Sequence, residues 1–198
     1  MNDLQKEAVA KKMFELRRVL LSGKIDRTSI DKVIRELVEL DFTSNEPILL
    51  LIDSRGGDLD EVFHLQDLIG SLKAPVDCLV VREAFSAALT TVQICRFRYA
   101  LPNARLFAHE SKHTFDIPVT TNEFLQEGLE AIGRQLRAQL KRKMELFMSR
   151  TSLSEKQCEQ LFQVGGGFDV MLGAQRAKDL HLIDSLVLNF KLWEKFSP

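Results

Sequence analysis

Pro47-Ile48-Leu49-Leu50-Leu51-Ile52-Asp53-Ser54-Arg55-Gly56-Gly57-Asp58-Leu59-Asp60 decides how the rest of the chain is read. The apolar run Ile48–Ile52 has no polar alternation, as expected of a strand buried on both faces of a parallel sheet. Asp53-Ser54 ends the run, and a helical pattern begins straight after Gly56-Gly57. Two glycines at the carboxyl end of a strand predict a tight turn with backbone N–H groups left uncovered by side chains. Placed at a helix N-terminus, those groups would attract a negative charge, resident or transient.

Outward from this stretch, the pattern alternates strand and helix. Residues 3–17 read as a charged helix, and Val19-Leu20-Leu21 as a short strand closed by Ser22-Gly23. Asp26 to Ser29 offers N-cap candidates for a helix that buries Ile30, Val33, Ile34, Leu37 and Leu40. A helix follows Gly57 to about Leu72, ended by Lys73-Ala74-Pro75, and Val76–Val81 is the next strand. Ser86 stands between that strand and the apolar helix 87–94. Leu101-Pro102-Asn103-Ala104 forms a turn, and Arg105–Ala108 a short strand ending at His109. From Thr121 to about Met148, apolar residues recur every three or four positions, predicting one long helix with a projecting or interface-forming part. Ser154 and Gln157 fit a capping box, Gly165-Gly166-Gly167 forces a loop, Ala174–Leu180 is helical and Ile183–Leu188 is a last strand. The order predicts an α/β fold with a mainly parallel sheet. No linker divides residues 1–198, so a single domain is expected.

The chain has 198 residues, 45% of them apolar and 28% charged, with a net charge of −1. That balance supplies no field for nucleic acid or anionic lipid. No apolar run has the length of a membrane span, and the first residues show no signal-peptide core. Cys78, Cys95 and Cys158 are odd in number and sit in apolar segments, as small buried hydrophobes do in a reducing compartment. A cytoplasmic location is expected. No histidine pair has zinc spacing, so no metal is expected.

Three residues stand where chemistry is conceivable. Ser86 occupies a strand–helix junction, where α/β sites form; the competing reading is a simple N-cap serine. Its surroundings do not fit G-x-S-x-G. His109 ends a strand, a position equally suited to a structural histidine, with His64 and His113 as rivals. Asp169 follows the glycine triplet and by itself is an ordinary loop carboxylate. Together they admit a Ser-His-Asp triad with a glycine-backed oxyanion hole, but spacing alone does not show that they converge.

Four stretches resemble the proteolytic subunit of the Clp protease, within the Clp/crotonase superfamily, from about Arg18 to Leu188. Leu50-Leu51-Ile52-Asp53-Ser54-Arg55-Gly56-Gly57 is similar to that family's apolar strand ending in Asn-Ser-Pro-Gly-Gly. Glu83-Ala84-Phe85-Ser86-Ala87-Ala88 resembles its nucleophile segment. Leu101-Pro102-Asn103-Ala104-Arg105-Leu106-Phe107-Ala108-His109 resembles Leu-Pro-Asn-Ser-Arg-Val-Met-Ile-His, whose histidine is the base. Asp169 to Asp184 resembles the stretch opened by the family's catalytic aspartate.

The resemblance implies the spiral of ββα repeats, with a head formed by about 18–110 and 150–190 and a protruding handle helix within about 111–149. It implies a serine endopeptidase in which Ser86, His109 and Asp169 are catalytic and no cofactor is needed for the chemistry. Gly56, Gly57 and Ala87 would bind substrate and oxyanion. A peptide or unfolded protein would be the substrate, and a homo-oligomeric ring the assembly. Several departures accompany it. Arg55 replaces a proline, Arg82 a glycine and Phe85 a small residue beside the nucleophile, where its ring would narrow the approach to Ser86. The segment after His109 lacks the family's Gln-Pro, and the N-terminal residues lack its Arg-Gly-Glu-Arg pattern, which weakens the case for an ATP-dependent unfoldase partner. Two rival readings follow: an assembling subunit with little or no activity, and a crotonase-type acyl-CoA enzyme. The second is disfavoured because crotonases work without this triad.

Overall fold

The computed structural model describes residues 3–109, 122–162 and 170–188. Its elements run α1 (Asp3–Glu15), β1 (Arg18–Ile25), α2 (Arg27–Thr43), β2 (Ile48–Gly57), α3 (Leu59–Ser71), β3 (Val76–Phe85) and α4 (Ala87–Ile94). They continue with β4 (Arg98–Ala100), β5 (Arg105–Ala108), α5 (Asn122–Arg150), α6 (Glu155–Phe162), β6 (Val170–Gly173), α7 (Ala174–Asp179) and β7 (Ser185–Leu186). The fold is α/β. The strands form one sheet in the order β1-β2-β3-β4-β7, all parallel along that path. Strand β3 is long enough to serve two neighbours on its far edge. Cys78–Val80 pair with β4, and Glu83–Phe85 pair with β5, which in turn carries antiparallel β6.

The unbroken apolar run of β2 is explained by two cores. Ile48, Leu50 and Ile52 enter the main core with α2, α3 and α4, where the largest fully buried side chains include Phe147 and Phe162. Leu49 and Leu51 point to the opposite face and join Leu79 and Val187, with Met13 of α1, Val81, Tyr99 and Leu101 packed beside them. Neither face of the strand meets water, so neither requires polar residues.

β2 runs further than its sequence suggests. The predicted turn at Gly56-Gly57 is instead extended strand, and α3 begins at Leu59 with Asp58 as N-cap. The physical reason is a bulge. Pairing with β1 shifts between Ser22 and Lys24, and pairing with β3 shifts between Ile52 and Ser54. Ser54, 1% exposed, stitches the irregularity: its hydroxyl donates to the Gly23 carbonyl at 2.6 Å and accepts from the Gly56 N–H at 3.0 Å. A bulge of this kind bends and twists the strand without ending it. β3 likewise extends to Phe85, four residues beyond the strand Val76–Val81 expected from sequence.

Asp26 is the N-cap of α2. Its carboxylate accepts from the Ser29 N–H at 3.0 Å, and the Ser29 hydroxyl accepts from the Asp26 N–H at 3.0 Å. Asp26→Ala should lower stability by about 1 kcal/mol, read from chemical denaturation.

α5 divides along its length. Up to Ala138 its described side chains are exposed or half-buried, and Leu129 is 54% exposed. From Gln139 it joins the body: Gln139 bonds Asp60 at 2.6 Å, Arg142 reaches Asp67 at 2.8 Å, and Phe147 packs edge-on against Phe162. At its end Arg150 donates to the carbonyls of Gln93, Cys95 and Arg96, satisfying the open C-terminus of α4. Cys78, Cys95 and Cys158 are free and buried. No helix among the described residues is long and apolar enough to cross a membrane.

Candidate active site

The site residues gather at the carboxyl ends of β2, β3 and β5. Ser86 is the residue after β3 and stands at the N-cap position of α4, yet its hydroxyl makes no capping hydrogen bond. The simple N-cap reading therefore does not hold. Its backbone sits at φ 54, ψ −120, and it is one of three non-glycine residues with positive φ among those described. Such a conformation costs on the order of 1–3 kcal/mol and persists where surrounding structure imposes it. Here the Ser86 N–H is held by the Phe107 carbonyl at 2.9 Å, while the Ser86 carbonyl already accepts from Leu89 and Thr90 of α4. The chain must turn sharply from strand to helix at this one residue, which leaves the side chain half-exposed at the corner.

Gly56 packs against this corner. A Cβ there would collide with the Phe85 carbonyl oxygen and come within 2.9 Å of both the Ala87 nitrogen and the Ser86 Cβ. Gly56 also has φ +90. Both facts require glycine. At Gly57 a Cβ would collide with the Ile25 carbonyl. The Gly56 N–H is taken by the Ser54 hydroxyl, and the Asp58 N–H donates to Ile25 at 2.8 Å, on either side of Gly57. Ala87 is buried in the first turn of α4.

β5 pairs with β3 so that Phe107 lies opposite Phe85. Ser86 follows Phe85 by one residue and His109 follows Phe107 by two, so adjacent strands bring serine and histidine to one edge of the sheet. The His109 ring is half-buried and packs on Phe107 with centroids 5.4 Å apart. Its carbonyl accepts from Lys143 of α5 at 3.3 Å. Lys143, 4% exposed, also places its ammonium 3.8 Å from the centre of the Phe162 ring. Asp169 and residues 110–121 lie outside the described residues.

The departures Arg55, Arg82 and Phe85 all have partners. Phe85 rests on Phe107, with ring centroids 5.5 Å apart, beneath the Arg105 guanidinium at 5.8 Å. Arg82 forms a two-pronged pair with Asp53 at 2.8 and 3.1 Å. Arg55 donates to Glu83 at 2.9 Å, and Arg105 reaches the other oxygen of the same carboxylate at 3.3 Å. Glu83 and Lys143 were not singled out from sequence. Their partners stand 22 to 34 residues away, and no local pattern announces such pairs. Among the described residues, no cluster of histidine, cysteine and carboxylates suits a metal ion.

This layout belongs to the class of α/β proteins whose site lies at the carboxyl edge of a mainly parallel sheet. A family model described as Clp protease matches residues 2–189, and the chain belongs to the Clp protease family. It is 25% identical over 189 residues to the ATP-dependent Clp protease proteolytic subunit 1 of Chlamydia abortus, covering 93% of each chain. To the proteolytic subunit 2 of Treponema pallidum it is 28% identical over 181 residues, covering 89% of this chain and 84% of that one. A mutant of ClpP1 from Listeria monocytogenes has the same fold, with a TM-score of 0.77 at 23% identity. The match covers 92% of this chain and 98% of that one.

Proposed function

We propose that the chain is a serine endopeptidase of the Clp type. The observation that carries this reading is Ser86 itself: a strained strand–helix corner whose hydroxyl makes no capping bond, one strand away from His109. Ser86 Oγ attacks the carbonyl carbon of a peptide bond and its proton passes to His109 Nε2. The carbonyl oxygen becomes an oxyanion, stabilised by the N–H groups of Gly57 and Ala87 at about 3 kcal/mol per donor. Because the Gly56 N–H is already engaged, Gly56 shapes the hole without donating to it. As the tetrahedral species collapses, the C–N bond breaks and His109 returns the proton to the departing amine. Water then cleaves the acyl-enzyme through the same base. Asp169 is assigned the role of orienting the imidazole, as the family resemblance implies.

The substrate is a peptide or unfolded protein, bound as an added strand near Gly57. The exposed first part of α5 supports a handle in a homo-oligomeric assembly, shorter than the span 111–149 because α5 joins the body from Gln139. The relatives' names make an ATP-dependent partner part of the proposal, and a cytoplasmic location suits the three free cysteines. The test is labelling with a fluorophosphonate probe. The native chain should be labelled, and Ser86→Ala and His109→Ala should abolish labelling while leaving the assembly intact on size exclusion. Absence of labelling in the intact assembly would sink the peptidase reading and leave an assembling, inactive subunit.

A further inference from the structure

We infer that Glu83 is a positioning residue that clamps together the three chain segments carrying the nucleophile, the glycine pair of the oxyanion site and the base. The inference rests on the peptidase reading for its catalytic consequence. Each arm of the clamp reaches a different segment. Glu83 lies on β3 three residues before Ser86. Its Oε1 accepts from Nε of Arg55, the residue directly before Gly56, at 2.9 Å. Its Oε2 accepts from Nη2 of Arg105, four residues before His109, at 3.3 Å. The side chain of Glu83 is 10% exposed, whereas those of Arg55 and Arg105 are 77% and 53% exposed.

This asymmetry defines what the clamp does. Exposed arginines regain water when released, so the pairs add little to global stability. The carboxylate is a fixed point on the central strand, and two charge-assisted bonds from opposite sides fix the neighbouring strands against it. The backbone ladder alone leaves slack at this place. β2 and β3 change register between Ile52 and Ser54, and β5 is only four residues long. The Arg105 guanidinium also lies over the Phe85 ring, 5.8 Å from its centre, and Phe85 is the neighbour of Ser86. The departures from the family pattern at Arg55 and Phe85 thus belong to one device.

The experiment measures fluorophosphonate inactivation kinetics together with hydrogen exchange. Glu83→Ala should lower the maximal inactivation rate roughly 10- to 100-fold, the scale expected for a displacement near 1 Å, with the probe's binding constant unchanged. Arg55→Ala and Arg105→Ala should each lose less. The double variant Glu83→Ala with Arg55→Ala should be no worse than Glu83→Ala alone, because one removal already breaks that arm. Backbone exchange at 53–57, 83–86 and 105–109 should accelerate together, while the unfolding midpoint moves by only about 2 °C. Acceleration confined to 83–86, or none, would overturn the clamp whether or not the native chain is labelled. A native chain that resists labelling while the three segments loosen together would remove the peptidase reading and leave the clamp standing.

Discussion

Asp184→Ala is expected to destabilise the fold by about 2–3 kcal/mol, enough to lower the unfolding midpoint by several degrees in a chain of this size. Asp184 receives three hydrogen bonds from Arg98: the backbone N–H at 2.8 Å, Nε at 3.1 Å and Nη2 at 2.6 Å. The Arg98 side chain is only 5% exposed. Its remaining nitrogen goes to Gln93 Oε1 at 2.6 Å, and Gln93, fully buried, donates on to the Leu182 carbonyl at 3.0 Å. Removing the carboxylate, whose side chain is 36% exposed, leaves the Arg98 guanidinium with one neutral protein acceptor and only solvent on the vacated side. The network also joins β4 to the segment leading into β7, and the loss is expected to loosen that edge of the sheet first.

The same pair has a pH signature. Burial pushes the Asp184 carboxyl up, but the hydrogen bonds and charge of Arg98, helped by Arg150, outweigh it and hold the pKa below the ordinary 3.8. A carboxyl depressed in the folded state stabilises it above the unfolded pKa of about 3.9, and the contribution is lost as pH falls through the folded value. The stability gap between the native chain and Asp184→Asn should thus be constant from pH 7 to about pH 5 and narrow below about pH 4. A gap that widens in acid would contradict the assignment. Denaturant titrations at a series of pH values read it directly.

Gly56→Ala is expected to reduce fluorophosphonate labelling on the order of 100-fold while the chain still folds. The methyl group would meet the Phe85 carbonyl oxygen, the Ala87 nitrogen and the Ser86 Cβ, none of which can swing aside as the tip of a flexible side chain would. The positive φ of Gly56 adds roughly 1–2 kcal/mol for any residue with a Cβ. Relief requires β2 to separate from the corner that holds Ser86, which displaces the proposed nucleophile Ser86 and the proposed oxyanion donor Gly57 relative to each other. Gly70→Ala, where a Cβ meets nothing, serves as the control and should label like the native chain.

Much of the architecture was legible from local pattern. The apolar run at 48–52, the helical spacing at 30–40 and 125–147 and the capping pair Ser154–Gln157 place elements where they occur, because burial on two faces, burial on one stripe and an unsatisfied helix end each leave their own periodicity. The short strands β4 and β6 left no such trace. At three and four residues they are strands only because a neighbour supplies their hydrogen bonds. Reading Gly56-Gly57 as a turn failed for a related reason. Asp53-Ser54 looks like a stop, but Ser54 is buried and bonded on both sides, so the polar residue continues the sheet.

For the candidate site, the sequence by itself marked Ser86, His109 and the glycine pair, because strand–helix junctions and glycines are local features. It determined the α/β class and the family for the same reason, since those signals repeat along the chain. Tertiary structure alone decided that the Ser86 hydroxyl is not a helix cap, that the Gly56 N–H is taken by the Ser54 hydroxyl, and that Arg55 and Arg105 meet on Glu83. The last two outcomes depend on groups 2 to 31 residues apart in sequence meeting at hydrogen-bond distance. Strand register, set by burial across the whole sheet, fixes that distance; composition and spacing do not.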